Sequence, residues 1–155
     1  MSKPHLDCID VLTKELSDFK DRIIMRFSIG SMNDGALKFW EPGAATFSER
    51  KACLSLAFDR GYQTSVSAEP FLDDRVLDLF NDLAPLVREK FWIGKMNMVM
   101  SRLKSNGRLD SESEKMARVL SFWQSDDRIR DIFLSLRDDP RVAWKESIIK
   151  VVSKF

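Results

Sequence analysis

Segments with the helical spacing of apolar residues alternate with short runs typical of β-strands, and this alternation constrains the fold more than any other feature of the chain. Strands are predicted at residues 23–31, 62–72 and 91–97. The predicted helices begin after Pro4, at Thr46 or Ser48, and near Val76. Helices that connect successive strands are typical of parallel sheets. The sequence therefore predicts an α/β fold with three parallel strands and crossover helices.

The chain changes character after Asn97, where helical patterns follow one another without a recognisable strand. These three helices are predicted near residues 112–123, 126–135 and 140–154, and Pro140 suits the first turn of the last one. The segment MNDGALKFWEPGAA after the first strand is predicted to be a long loop. We expect one domain over residues 1–155, with strand–helix units in 1–97 and a helical part in 98–155.

Composition excludes several classes of function. The 155 residues carry 25 Lys and Arg against 24 Asp and Glu, a formal charge of +1, so bulk electrostatic binding of nucleic acid or anionic lipid is not expected. No apolar run approaches the roughly 20 residues that cross a bilayer, and the amino terminus lacks the apolar segment of a secretory signal, so a cytoplasmic location is predicted. Cys8 and Cys53 are too few for a disulfide framework or a three-thiolate cluster, and with His5 as the single histidine neither a multi-His metal site nor a Ser-His-Asp triad is expected.

The alternation of side chains along the first two strands predicts one apolar and one polar face. Phe27, Ile29, Val66 and Ala68 suit packing against helices. The opposite side would then carry Arg26, Ser28, Gly30, Ser65, Ser67 and Glu69. Such a lining indicates either a bound polar ligand or a solvated sheet face with internal ion pairs such as Arg26 with Glu69, and parity alone does not decide between them.

Candidate site residues lie at the carboxyl ends of the three predicted strands, because ligands collect at that end of parallel strands. They are Ser31 with Met32 and Asn33, Glu69 with Pro70, and Lys95 with Met96 and Asn97. For Glu69 the alternative is a structural ion pair with Arg26 or Lys95.

Other distinctive residues are expected to have structural roles. The large aromatic side chains of Phe39, Trp40 and Trp92 are predicted to pack in the core. Met96, Met98 and Met100 are predicted to fill gaps in the core rather than to form a metal or cofactor site. Glu41 and Arg50 are predicted to form an ion pair that fixes the loop between them, in preference to a direct ligand contact.

The order RFSIGS, FWEPGAATFSERKACLSLAFDRGYQTSVSAEPFLD, FWIGKMN and VAWKESI resembles the C-terminal half of radical S-adenosylmethionine (radical SAM) proteins, nearest the branch related to DNA photoproduct lyases. EPGAATFSER and TSVSAEPFLD are its most specific parts. The resemblance implies a partial TIM-like (βα) barrel whose three strands correspond to the fourth, fifth and sixth of six units. The helix from His5 would then be the third crossover, and Met1–Pro4 the end of the third strand.

The resemblance also implies roles in binding S-adenosylmethionine (SAM). Ser28, Gly30 and Ser31, at the end of the strand that corresponds to the family's fourth, would approach the methionine or ribose part of SAM. Ser67 and Glu69 would be contributed by the fifth strand, on the adenine side. On the sixth, Ile93 would pack under the adenine, and Lys95 and Asn97 would face a substrate. Arg50 is a weaker candidate for contact with the SAM carboxylate.

The radical SAM family binds its 4Fe-4S cluster through a CxxxCxxC motif, which this sequence lacks. The resemblance therefore implies a truncated or split protein that supplies the SAM and substrate side of the barrel and is not competent for cluster binding or SAM cleavage alone. A complementary N-terminal half-barrel chain that carries the cysteines, or a homo-oligomer, would be its partner. The alternative is a non-enzymatic α/β remnant that binds a small ligand or another protein.

Overall fold

The parallel sheet has four strands rather than the predicted three. The computed structural model describes residues 4–154. Its strands are Ile24–Ser28 (β1), Gln63–Ala68 (β2), Phe91–Ile93 (β3) and Val142–Trp144 (β4). Every neighbouring pair is parallel, and the strand order is β1-β2-β3-β4. The α/β class and the parallel arrangement are confirmed; the described sheet is open, with β1 and β4 at its edges.

Eight α-helices lie in the described part of the chain. They are Leu6–Glu15 (α1), Asp34–Trp40 (α2), Phe47–Asp59 (α3), Val76–Leu83 (α4), Val99–Ser105 (α5), Ser111–Trp123 (α6), Asp126–Leu136 (α7) and Glu146–Val152 (α8). The predicted cap of α3 is confirmed, because Thr46 and Glu49 bond each other's backbone N–H groups. Within residues 4–154, none of these helices is long and apolar enough to span a membrane.

The prediction of a continuous helix over residues 140–154 is wrong, because this segment contains β4 before α8. The N–H of Phe91 donates to Arg141 O at 2.8 Å, and the N–H of Lys145 donates to Ile93 O at 2.9 Å. All three residues of β4 are half-buried, so they show no clear apolar alternation. Pro140 added a helix-start signal where a strand follows. The segment 98–155 is therefore not purely helical.

Two further helices lie where none was predicted. In α2, which interrupts the predicted loop, the Asn33 side chain accepts from the N–H groups of Gly35 and Ala36 and so caps the helix. Helix α5 follows β3, which ends at Ile93 rather than at residue 97. Both helices have only seven residues, and each buries one side chain, Leu37 or Val99. So short an apolar pattern gives little helical periodicity.

Alternate strand side chains separate an apolar face from a polar one. Met25, Phe27, Val66, Ala68, Phe91 and Ile93 belong to the core that also receives side chains from α1, α3, α4, α7 and α8. The intervening residues lie outside that core, and we refer to them as the polar face: Arg26, Ser28, Ser65, Ser67, Trp92 and Ala143. The parity prediction is confirmed for the residues within β1 and β2; Gly30 and Glu69, which it also placed on the polar side, lie beyond the ends of these strands.

Helix α1 is tied to the end of α3 through Asp10. The Asp10 side chain accepts from Lys14 at 2.7 Å and from Arg60. The hydrogen bond from Lys14, which has the largest effect, and the hydrogen bond from Arg60 hold the pKa of Asp10 below its ordinary value of 3.8. Of the segment Met1–Pro4, predicted to end a preceding strand, residues 1–3 lie outside the described residues, and Pro4 is not in a strand.

Replacement of Asp10 by Asn is expected to flatten the acid dependence of stability. The folded-state pKa of Asp10 is lowered, so its contribution is complete above the unfolded pKa near 3.8 and is lost as the pH falls through the lower folded value. Chemical denaturation from neutral pH to below pH 3.8 should show a smaller loss in the Asn variant than in the wild type. Equal losses would show that this tie does not contribute.

Candidate functional site

The carboxyl ends of β1, β2 and β3 are joined by the segment that follows β2. The N–H of Leu72 donates to Gly30 O at 2.8 Å, and the N–H of Phe71 donates to Gly94 O at 3.1 Å. This close approach requires glycine at both strand ends. A Cβ on Gly30 would lie 2.5 Å from Pro70 O, and one on Gly94 would lie 2.8 Å from Glu69 Cγ. The segment therefore fixes the position of Glu69.

A cavity of about 370 Å³ opens at the carboxyl ends of β2, β3 and β4, and we call it the carboxyl-edge cavity. Its lining consists of Glu69, Asn97, Lys145, Glu146, Ser147 and Lys150. Glu69 Oε2 lies 2.8 Å from Lys145 Nζ, and Glu146 Oε1 lies 2.9 Å from Lys150 Nζ. Two carboxylates and two ammonium groups, each paired with its opposite, thus line one cavity.

Lys145 also connects the carboxyl-edge cavity to the polar face. Its Nζ lies 4.9 Å from the centroid of the Trp92 ring, and Arg26 Cζ lies 5.1 Å from the same centroid. Arg26 in turn donates to Ser65 Oγ at 3.0 Å and contacts Glu89 at 3.3 Å. A cation over the face of an aromatic ring is attracted to it. Trp92 lies between the core residues Phe91 and Ile93 and so on the polar face, which corrects its predicted place in the core.

The ion pairs predicted for Glu69 are wrong in their partner. Glu69 pairs with Lys145 rather than with Arg26 or Lys95, whereas Lys95 Nζ lies 3.5 Å from Asp126 Oδ1. The reason is β4, which the sequence pattern did not reveal and which ends immediately before Lys145. The predicted site residues do not include Lys145, Glu146, Ser147 or Lys150, because without β4 the sequence gives no strand end that would place Lys145 and the start of α8 at this edge. The VAWKESI stretch of the resemblance was the available signal for the first three of them.

Of the predicted residues, only Glu69 and Asn97 line the carboxyl-edge cavity. Lys95 lines a neighbouring cavity. Ser67 is half-buried on the polar face, between its register neighbours Ser28 on β1 and Trp92 on β3. Ser31 is fully buried, and its Oγ donates to Asp73 and accepts from the N–H of Asn33 at 2.8 Å. Gly30 and Ile93 are also buried. Ser31, Gly30 and Ile93 therefore pack beneath the carboxyl edge of the sheet.

Arg50 fixes the loop before α3 against the end of β1. Its side chain is fully buried; Nε donates to Ala45 O at 2.9 Å, one terminal nitrogen donates to Ser28 O at 2.8 Å, and the other pairs with Glu41. The predicted ion pair of Glu41 and Arg50 is confirmed. Since each guanidinium nitrogen has an acceptor within the protein, Arg50 organises the site rather than lining it.

The three methionines after β3 are not core residues, contrary to prediction. Met98 is 73% exposed, while Met96 and Met100 are half-buried. They follow a strand that ends four residues earlier than predicted, so they lie in the turn and first residues of α5. Phe39 and Trp40 are likewise half-buried at the end of α2, with ring centroids 4.9 Å apart in an edge-to-face contact.

The cysteines do not fit an iron–sulfur cluster. Cys8 is exposed on α1, whereas Cys53 is fully buried on α3, where burial raises the pKa of its thiol. Thiolates are the ligands that such clusters require. Among residues 4–154, no group of three or more His, Cys, Asp or Glu side chains is placed to hold a metal ion. Cluster chemistry is therefore not assigned to these side chains.

Comparison with known proteins gives no identification. No protein-family model, curated protein or solved structure matches the chain. The similarity to radical SAM proteins stays a prediction, and the candidate site is defined by its own geometry.

Substitution of Gly30 by Ala is expected to destabilise the fold by about 1–3 kcal/mol, because the new methyl group would meet backbone rather than a movable side chain. Gly35→Ala is the matched control, since its Cβ would meet only the side-chain oxygen of Asn33, at 3.0 Å. Urea denaturation of both variants measures the difference. Similar stabilities for the two would show that the contact of Gly30 with the segment after β2 is not tight in solution.

Proposed function

We propose that the chain forms the SAM- and substrate-binding half of a radical SAM-type barrel, with a complementary half barrel supplying the iron–sulfur cluster. The fold supports this proposal in two ways. Four parallel strands follow one another in sequential order, as in a (βα) barrel, and the helices of the core pack against one set of strand side chains. The other set forms the polar face, which would line the barrel interior.

The observation that carries the proposal is a set of exposed apolar side chains in the part of the chain that leads into the edge strand β1. Five of the ten large apolar side chains that are exposed within residues 4–154 lie between the start of α1 and the first residue of β1: Leu6, Val11, Leu12, Phe19 and Ile24. Strand β1 is itself an edge, and an edge strand presents unpaired backbone groups. A partner could provide a parallel strand that pairs with β1 and a helix that covers these apolar side chains.

The carboxyl-edge cavity supports SAM as the ligand. SAM carries an amino group, a carboxylate and a sulfonium, and the cavity offers the Glu69–Lys145 and Glu146–Lys150 pairs to charges of both signs. Asn97 would donate or accept a hydrogen bond beside them. Ser67 and Trp92, on the polar face next to this cavity, would contact the ribose or adenine. The cluster, when supplied by the partner, would provide the electron for SAM cleavage.

Glu69→Ala should lower the affinity for SAM by about tenfold, the effect of losing one charge-assisted contact. The control Asp78→Ala removes a carboxylate from an exposed pair with Arg75 on α4, outside the cavity, and should leave affinity unchanged. Calorimetric titration with SAM gives affinity, and denaturation gives stability. A large loss of stability with unchanged affinity would assign Glu69 a structural role.

The isolated chain should associate with itself through the uncovered β1 edge, and Ile24→Lys should reverse this association. A charged side chain on an edge strand opposes pairing. Ile24 is 52% exposed; the control Ile149→Lys changes a residue that is 44% exposed on α8. Light scattering across a concentration series measures the mass. A wild-type chain that stays monomeric and does not bind SAM would instead support a non-enzymatic α/β remnant.

A further inference from the structure

A second cavity adjoins the carboxyl-edge cavity and shares Asn97 with it. It has a volume of about 340 Å³ and lies between the turn after β3, the start of α5 and the end of α6. We call it the methionine cavity, because Met96, Met98 and Met100 all line it, together with Lys95, Asn97, Val99, Ser101, Ser121 and Gln124. The shared residue makes the two cavities neighbouring parts of one surface.

The turn that builds the methionine cavity is held firmly at its base. The N–H of Met96 donates to Gln124 Oε1 at 2.8 Å, and Gln124 Nε2 donates to Phe71 O at 2.6 Å. Gln124 is 3% exposed, so this bridge ties the end of α6 to both the turn and the segment after β2. The N–H of Lys95 donates to Ser147 Oγ at 3.1 Å, which adds the start of α8. The cavity thus belongs to the same framework as the candidate site.

Met98 is an exposed residue of this lining rather than a packing residue. Its side chain is 73% exposed although it is apolar, and its backbone is left-handed, with φ 54°. Non-glycine residues adopt that conformation infrequently. Thioether side chains are flexible and polarizable, and they adapt to apolar ligands of different shapes. Three of them on one cavity provide such a surface.

The charge of the lining restricts the ligand further. Lys95 is the one charged residue of the lining, and its ammonium group pairs with Asp126 at 3.5 Å. The remaining polar groups are the hydroxyls of Ser101 and Ser121 and the amides of Asn97 and Gln124, all uncharged. This lining thus carries one charged side chain, whereas the carboxyl-edge cavity carries four, so a neutral group suits the methionine cavity better. The carboxyl-edge cavity beside it is the charged part of the surface.

We propose that the methionine cavity binds a neutral, apolar alkyl or aryl group of the substrate, next to the bound cofactor. This inference rests on the proposed function, since it assigns the substrate class to the same site. The substrate is then a molecule with an apolar portion long enough to cover Met96, Met98 and Met100. Asn97 lies at the boundary between this portion and the cofactor.

The test uses N-phenyl-1-naphthylamine, a neutral apolar dye whose fluorescence rises on leaving water. Met98→Ser should weaken dye binding by about fivefold to tenfold, because part of the apolar contact of one methionine is lost. Met98→Leu should retain most of the affinity. The control Leu134→Ser alters an apolar residue that is 49% exposed on α7, outside the lining of the methionine cavity, and should bind the dye as the wild type does.

A titration with SAM on the same variants separates this inference from the proposed function. Loss of dye binding in Met98→Ser alone, with SAM bound by the wild type, supports both. The same dye result without SAM binding to any variant would overturn the proposed function and leave an apolar site of another kind. Equal dye binding by Met98→Ser and the wild type, or an equal loss in Leu134→Ser, would overturn the methionine cavity as the apolar site.

Discussion

The structure depends on packing against one face of a parallel sheet. Met25, Phe27, Val66 and Ile93 reach the helix-packed core, and each is at most 5% exposed. Because strand side chains alternate, this packing forces their neighbours onto the opposite face. Those neighbours are polar or half-buried, and Trp92 is held among them by contacts with Arg26 and Lys145. The location of the candidate site is a consequence of this division.

The carboxyl ends of the strands become a site because several segments converge there at backbone distance. Gly30 and Gly94 allow the segment after β2 to lie between β1 and β3, which brings Glu69 within 2.8 Å of Lys145 at the end of β4. Arg50, which is fully buried, fixes the neighbouring loop. The side chains beneath the edge are thus buried, while the two ion pairs of the carboxyl-edge cavity lie in its lining.

The sequence predicted the strands that have a buried, alternating pattern and missed the one that does not. Phe27 and Val66 gave the direction of the helix-packed face, and Thr46 gave the start of α3. Strand β4 has three half-buried residues after a proline, so no periodicity distinguished it from a helix. Because the sequence does not reveal β4, it also does not reveal Lys145, which follows that strand. Glu69 and Asn97 are found because they lie at the ends of predicted strands. The exposure of Met98 depends on where β3 ends, which composition does not determine.

The central claim is that this chain forms the part of a cofactor barrel that binds SAM and substrate and relies on a partner for its cluster. Anaerobic reconstitution of the purified chain with iron and sulfide, followed by quantification of bound iron and of SAM cleavage under a reductant, tests it most directly. The account predicts no stoichiometric cluster and no cleavage by the chain alone. A cluster bound in stoichiometric amount, with SAM cleaved in the absence of any partner, would contradict it.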